Sequence, residues 1–270
     1  MKFKLKNFSA TPLSKALRGC IDKGYDALFA PEIIRLRTKY FNNKQIDKEL
    51  KEKKLWERSF IPTELCLGSF TSLSLIVSGK TEGGNDVVIY THAPHYFCDP
   101  KNIENVHKFG RGGIFPLSEF KKLLDQDGLK DDKKNRLVWV MDYEFAKDSK
   151  KSLVCVCGGK DIAEEYSAKY KQRNYEQLNI QEPEKISEQP QAGFLFIGYN
   201  NELEHVLKLP NIHIYHSFLG YPTEERHGGG VHSSDIYISY CQDKNHVPYG
   251  AGSFLGKRKL EPEECVDFEQ

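Results

Sequence analysis

The segment from residue 65 to residue 92 constrains the fold more than any other part of this chain. Residues 65–77 are rich in β-forming side chains, residues 80–85 contain two glycines, and residues 86–92 form a second apolar run. Two such runs separated by a short glycine-containing turn predict a β-hairpin. Small polar residues occur in the middle of the first run on both faces, which is unusual for a strand packed on an ordinary apolar core.

The remaining pattern mixes strands with helices. Alternation of lysine with apolar residues predicts a short edge strand over residues 1–7. Thr11 and Pro12 are typical of a helix start, and a second helix is expected from Pro31. We further predict helices over 45–56, 117–127, 161–177 and 201–209, and strands over 136–145, 152–157, 194–199, 212–218 and 235–241.

Together these elements predict an α+β fold, with helices packed on a mostly antiparallel mixed sheet around a single large core. The 270 residues include 16 Phe and 14 Tyr, enough apolar surface for such a core. We expect one domain over residues 1–254 and a loose carboxy-terminal tail over 255–270. Residues 178–192 contain Gln, Glu and Pro with little to bury, and they predict an exposed linker.

Charge and cysteine content narrow the classes of partner and compartment. The chain has 39 basic and 38 acidic side chains, so its net charge of +1 favours neither nucleic acid nor an anionic membrane. We expect no membrane span and no secretory signal. Seven scattered cysteines form no disulfide framework and favour a reducing compartment. We therefore expect a soluble cytoplasmic protein, with signal-independent export left open.

The first candidate for a functional site is the long irregular stretch from His92 to Gly113. It carries His92, His95 and Cys98, whose imidazole and thiolate groups suit a divalent metal such as zinc. His92 follows a predicted strand, while Pro94 excludes presentation of the two histidines from a helix. The spacing matches no established zinc motif, so ordinary loop histidines are the alternative.

The second candidate is the stretch from Arg226 to Asp235. Its three consecutive glycines, Gly228, Gly229 and Gly230, permit close approach of a ligand to the backbone. Free amides beside Arg226 would form a concave site for an anion. His227, His232 and Asp235 are candidates for acid–base groups, in addition to His92 and His95. The alternative is a surface loop in which the glycines serve flexibility alone.

Arginine among glycines also occurs in the first stretch, at Arg111, Gly112 and Gly113. If the fold brings the two stretches together, the arginines would suit a phosphate, a carboxylate or an amide carbonyl. A separation above about 15 Å would rule out a shared pocket.

A further interpretation involves cysteine chemistry. The sequence Cys66-Leu-Gly-Ser69-Phe70-Thr71, followed by Gly83–His92, resembles the chemotaxis-receptor glutamine deamidases. Those enzymes carry Gly-Ser-Cys on one strand and the partner histidine at the end of the next. Here Phe70 stands at the position of the nucleophile, and Cys66 lies four residues earlier on the same strand face. Cys98 is an equally eligible thiol, and a nearby imidazole would activate either one.

The sequence therefore supports two functional hypotheses. The first is a hydrolase or transferase, metal-assisted or based on a Cys/His pair of protease or deamidase type, acting on an anionic or carbonyl-bearing substrate. The second is a non-enzymatic protein that acts through protein–protein contacts, which the tyrosine-rich strands also suit. The partner would be a small molecule or a protein, and neither hypothesis names it.

Overall fold

A computed structural model describes residues 3–10, 13–40, 70–92, 112–166, 168, 212–219, 225–227, 230–232, 236–237 and 253–259. Within these ranges the chain alternates short helices with strands. The elements are β1 (Phe3–Ser9), α1 (Leu13–Asp22), β2 (Asp26–Ala27), α2 (Ala30–Tyr40), β3 (Phe70–Lys80), β4 (Asp86–Thr91), β5 (Gly112–Ile114), α3 (Leu117–Asp125), β6 (Val138–Asp142), α4 (Tyr143–Lys147), α5 (Ser149–Cys157), α6 (160–166), β7 (His213–Leu219), β8 (Glu225–His227), β9 (Gly230–His232), β10 (Ile236–Tyr237) and β11 (Ser253–Lys259).

The main sheet joins nine of these strands, with the central order β1-β11-β3-β4-β6. β7 also pairs with β3, and it carries β5 and β10 in turn, while β2 pairs with β11. The pairing of β11 with β3 is parallel, whereas every other pairing within the described residues is antiparallel. β8 and β9 form a separate two-stranded hairpin. The predicted α+β fold with a mostly antiparallel sheet is confirmed.

Helices cover both faces of the central strands, because β3 and β4 bury side chains in both directions. On one face, Ile76, Val88 and Tyr90 pack in a cluster with residues of α2 and of α4 to α6. On the other face, Leu75, Val77, Val87 and Ile89 pack in a cluster with residues of α1 and α3. Alternation of side chains along each strand produces this division. The expected core is thus split by the sheet into two apolar layers.

An irregularity in β3 explains the small polar residues that interrupt its apolar pattern. Its pairing with β7 shifts register between Thr71 and Leu75. Within that bulge, the Leu73 amide donates to the Leu28 carbonyl at 2.8 Å, and the Ser74 hydroxyl accepts a bond from the Ala30 amide at 2.9 Å. A bulge re-aims side chains locally. Here the bulge allows Leu73 and Ser74 to form hydrogen bonds with residues just before and at the start of α2, which connects this helix to the middle of the sheet.

Several predicted elements differ from the structure. The predicted strand over 152–157 is wrong, because residues 149–157 form helix α5. The strand predicted over 136–145 ends at Asp142, whose side chain accepts a 2.7 Å bond from the Phe145 amide and begins α4. Residues 255–259, expected in a loose tail, belong to β11, where Phe254 and Leu255 are buried. The predicted helices 45–56 and 201–209, the strand 194–199 and the linker 178–192 lie outside the described residues.

Other predictions agree with the structure. The hairpin of β3 and β4 is confirmed, as are β1, α1, α2, α3 and β7 with end points shifted by a few residues. Strand β10 lies within the predicted strand 235–241, and α6 overlaps the start of the predicted helix 161–177. None of the helices in the described part of the chain has the length and apolar character that crossing a bilayer requires.

Gly256 is predicted to be intolerant of a side chain. A Cβ at this position of β11 would lie 2.7 Å from Cys20 Sγ, 2.8 Å from Phe8 Cε2 and 2.9 Å from Tyr25 Cβ. Gly256→Ala should therefore lower the free energy of unfolding by roughly 1–3 kcal/mol. Urea denaturation followed by circular dichroism measures the change. Gly19→Ala is the matched control, since a Cβ there meets nothing within 4 Å and α1 should gain up to about 1 kcal/mol. Equal effects of the two substitutions would contradict this account of β11 packing.

Candidate functional site

His92, the candidate with the most possible roles in the sequence, lies in the protein interior with 5% of its surface exposed. It directly follows β4, whose alternation directs Val88, Tyr90 and His92 to the same face of the sheet. Three aromatic rings surround the imidazole in edge-to-face arrangements. Their centroid distances from the imidazole are 5.0 Å for Tyr90, 5.3 Å for Trp139 and 6.3 Å for Phe29.

Both ring nitrogens of His92 are engaged in hydrogen bonds. Nε2 lies 3.0 Å from the carbonyl oxygen of Cys155, and Nδ1 lies 2.7 Å from Ser74 Oγ. A carbonyl only accepts, so Nε2 carries the proton and donates to Cys155. Nδ1 then accepts from the Ser74 hydroxyl, whose oxygen accepts from the Ala30 amide. Every bond in this chain has one donor and one acceptor, which makes it a satisfied buried network.

Electrostatics agree with a neutral imidazole. The pKa of His92 is lowered to about 3, chiefly by burial; the bond to the Cys155 carbonyl raises it in part, and the charge of Arg35 lowers it. A general base needs a pKa near the working pH and access to its substrate, and His92 has neither. Its single lone pair, on Nδ1, faces the Ser74 hydroxyl, so it cannot ligate a metal in this arrangement.

The described cysteines are likewise buried. Cys20, Cys155 and Cys157 are free thiols in the interior. Desolvation raises the pKa of Cys20 to about 12, with Asp26 adding to it, and desolvation raises the pKa of Cys155 to about 12. A thiol that stays protonated at neutral pH is a poor nucleophile. Among the described residues no group of three or more His, Cys, Asp and Glu side chains could hold a metal ion.

The remaining candidate residues divide between described strands and residues outside the described ranges. Gly112 and Gly113 form part of β5, Arg226 and His227 end β8, and Gly230 and His232 belong to β9. Cys66, His95, Cys98, Arg111, Gly228, Gly229 and Asp235 lie outside the described residues.

Gly230, the last of the three consecutive glycines, belongs to the β8–β9 hairpin. His227 pairs with Gly230, Arg226 with Val231 and Glu225 with His232, so two residues connect the strands. Two-residue hairpin connections strongly favour glycine, since their backbone angles exclude most other residues.

Sequence reasoning overlooked the partners that determine the state of His92. Ser74, Trp139 and the Cys155 carbonyl come from three other elements, and only the fold brings them together. One signal was present in the chain: small polar residues in an otherwise apolar strand indicate hydrogen-bond donors directed inward. Alternation along residues 86–92 also places His92 on the same face as Val88 and Tyr90, which predicts burial.

The buried neutral imidazole predicts a specific dependence of stability on pH. Because the folded pKa lies near 3 and the usual value is 6.5, the unfolded chain binds a proton that the folded chain does not. Stability should therefore fall as pH drops from about 6.5 towards 3, by up to about 1.4 kcal/mol per pH unit from this group. Urea unfolding at a series of pH values measures this slope.

Two variants separate the imidazole from its hydrogen bonds. His92→Gln cannot take up a proton. Its free energy of unfolding should therefore fall less steeply as pH drops, and the difference in slope from the wild-type chain should correspond to close to one bound proton. Ser74→Ala retains the imidazole and should keep the steep slope, although loss of the hydroxyl costs roughly 1–3 kcal/mol. If His92→Gln and the wild-type chain have the same slope, the buried neutral state is wrong.

Comparisons with known proteins add evidence on the fold. No family model matches the sequence, and no curated protein is detectably similar to it. The chain is similar to a solved structure described as "Accommodation of massive sequence variation in Nanoarchaeota by the C-type lectin fold". The TM-score is 0.56 and the identity is 24%, over 95% of this chain and 99% of that one. A likeness of this kind shows the fold.

These findings overturn the hydrolase or transferase hypothesis. The structural likeness is to a fold named after binding proteins, and it extends over nearly the whole length of both chains. Within the described residues, burial lowers the pKa of His92 and raises the pKa of the Cys20 and Cys155 thiols, which suits none of the three for catalysis. Phe70, which stands at the position of the nucleophile in the deamidase resemblance, is a buried residue at the start of β3. The metal-binding expectation is not supported either. The non-enzymatic alternative is the interpretation in better agreement with the structure.

Proposed function

We propose that this protein is a non-enzymatic binding protein whose partner surface lies along the outer edge of β7. The observation that carries the proposal is the convergence of two distant segments on this edge. β5 pairs with the first half of β7, where Gly112 lies opposite Tyr215. β10 pairs with the second half, where Tyr237 lies opposite Phe218.

The register brings these segments within reach of a single partner. Tyr215 and Phe218 are three residues apart on one strand, which corresponds to about 10 Å. Gly112 and Tyr237 are therefore separated by roughly that distance along the sheet edge, below the limit of about 15 Å set for a shared site. Gly112 lies at the end of the His92–Gly113 stretch, and Tyr237 lies two residues after the Arg226–Asp235 stretch. In this proposal Arg111, Arg226, His227 and His232 contact a partner, the buried His92 does not, and none of them carries out chemistry.

The construction of the sheet favours this edge as the binding region. On its inner side β7 pairs with β3, a strand that buries residues in both apolar layers. A rigid, doubly covered centre can hold variable segments at its rim without losing stability. The similar solved structure is described as a fold that accommodates massive sequence variation. We extend that property to this chain, and we infer that its partner is a protein recognised through side chains on the rim.

Libraries at two surfaces would test the proposal. The first varies Arg226, His227, Val231 and His232 and retains Gly228, Gly229 and Gly230, while the control varies the exposed α3 residues Leu117, Ser118, Lys121 and Lys122. Both libraries are displayed and selected against a panel of unrelated proteins. We expect binders from the hairpin library, with unfolding free energies within about 0.5 kcal/mol of the parent.

The stability of the hairpin variants and the number of binders they yield distinguish a binding surface from a part of the structural framework. Hairpin variants that lose stability as core substitutions do would show that the segment belongs to the framework. Folded hairpin variants that yield no more binders than the α3 library would also contradict the proposal.

A further inference from the structure

The outer edge of β6, where the central sheet ends, is covered by the preceding segment, residues 126–137. The Val138 carbonyl accepts bonds from the Gly128 amide at 3.1 Å and from Arg136 Nε at 2.8 Å. The Val140 amide donates to Asp127 Oδ1 at 2.8 Å. These groups of β6 point away from β4, and in a larger sheet another strand would bind them.

Asp127 therefore takes the place of a neighbouring strand. Its carboxylate accepts the Val140 amide as a backbone carbonyl would, and the same oxygen accepts Arg136 Nη2 at 2.6 Å. The Arg136 guanidinium also lies 5.4 Å from the centre of the Trp139 ring. The ion pair is partly exposed, with 36% of the Arg136 side chain and 48% of the Asp127 side chain accessible.

The covering segment is itself held in shape. Lys130 and Arg136 form an isolated antiparallel bridge, and the Leu137 amide donates to Leu129 at 2.7 Å. At the tip, Asp131 Oδ1 accepts the Lys133 and Asn135 amides at 2.9 and 2.8 Å. The side-chain bond from Asn135 is the main reason why the pKa of Asp131 is lowered. The segment is thus arranged to keep Asp127 beside Val140.

The sequence of β6 explains why its edge needs cover. The strand reads Val-Trp-Val-Met-Asp, a β-forming stretch whose only charge is at its end. Such an edge readily pairs with another chain. Antiparallel self-pairing centred on Val140 would place Asp142 opposite Val138 of the second copy, so no like charges would meet. At the other end of the sheet, β1 carries the exposed Lys4 and Lys6, a different protection against pairing.

We propose that the Asp127–Arg136 pair ends the sheet and prevents β6 of one copy from pairing with β6 of a second copy. Removal of the Asp127 carboxylate uncovers a self-association surface. This inference is independent of the binding rim on β7, which lies on the other side of β3.

Asp127→Ala tests the inference. Sedimentation velocity over a range of concentrations should show self-association, with a dissociation constant at least about tenfold below that of the parent chain. Hydrogen exchange at the Val140 amide should be faster by roughly tenfold in dilute solution and slow again where the variant associates. Asp127→Asn keeps an oxygen acceptor for Val140 but loses the ion pair with Arg136, so it should self-associate more weakly than Asp127→Ala. Glu82→Ala is the charge-matched control, since Glu82 is exposed and pairs with Lys121 at 2.6 Å, away from β6.

A second substitution locates the surface. Val140→Lys in the Asp127→Ala background places a charge on the uncovered edge and should abolish the association. If association persists, another surface is responsible and the inference is wrong. A folded Asp127→Ala variant that sediments like the parent at every concentration would also overturn it.

If Asp127→Ala does not fold, Arg136→Met provides a second test of the inference. This variant keeps an apolar stem against Trp139 but loses the ion pair and one of the bonds to the Val138 carbonyl. We expect weaker self-association in the same direction, and its absence would overturn the proposal.

Discussion

The hydrogen-bond chain from Ala30 through Ser74 and His92 to Cys155 connects four elements at the centre of the molecule. It joins the start of α2, the bulge of β3, the residue after β4 and the end of α5. Each group is buried, so each bond must be made or a desolvation cost is left uncompensated. Because this series of hydrogen bonds needs a neutral imidazole, it also excludes His92 as a general base or a metal ligand.

This constraint changes where function is to be sought. A histidine after a strand and before a long irregular stretch is a reasonable candidate for catalysis, yet here it joins helices to the sheet. Apolar layers cover both faces of β3 and β4, and our proposals therefore concern the edges of the sheet. At the β7 edge, two distant segments converge. At the β6 edge, a side chain occupies the position of a further strand.

Local pattern predicted much of the framework. The hairpin of β3 and β4 followed from two apolar runs and a glycine turn, and α2 followed from Pro31 and helical spacing. Helix α5 was mistaken for a strand because Val154, Val156 and the alternating apolar residues suit either structure over so short a run. The Asp148 side chain, which accepts the Lys151 amide at 3.2 Å, and Gly158, with a φ of 76°, are the local signals of its two ends.

The sequence by itself determined the class of fold and the central hairpin, since these depend on residues close together in the chain. Only the tertiary structure decided the protonation state of His92, the incorporation of residues 253–259 into the sheet and the meeting of β5 and β10 on β7. Burial, pKa and pairing across the sheet depend on groups far apart in sequence: Cys155 lies 63 residues from His92. Periodicity along one segment carries no information about such partners.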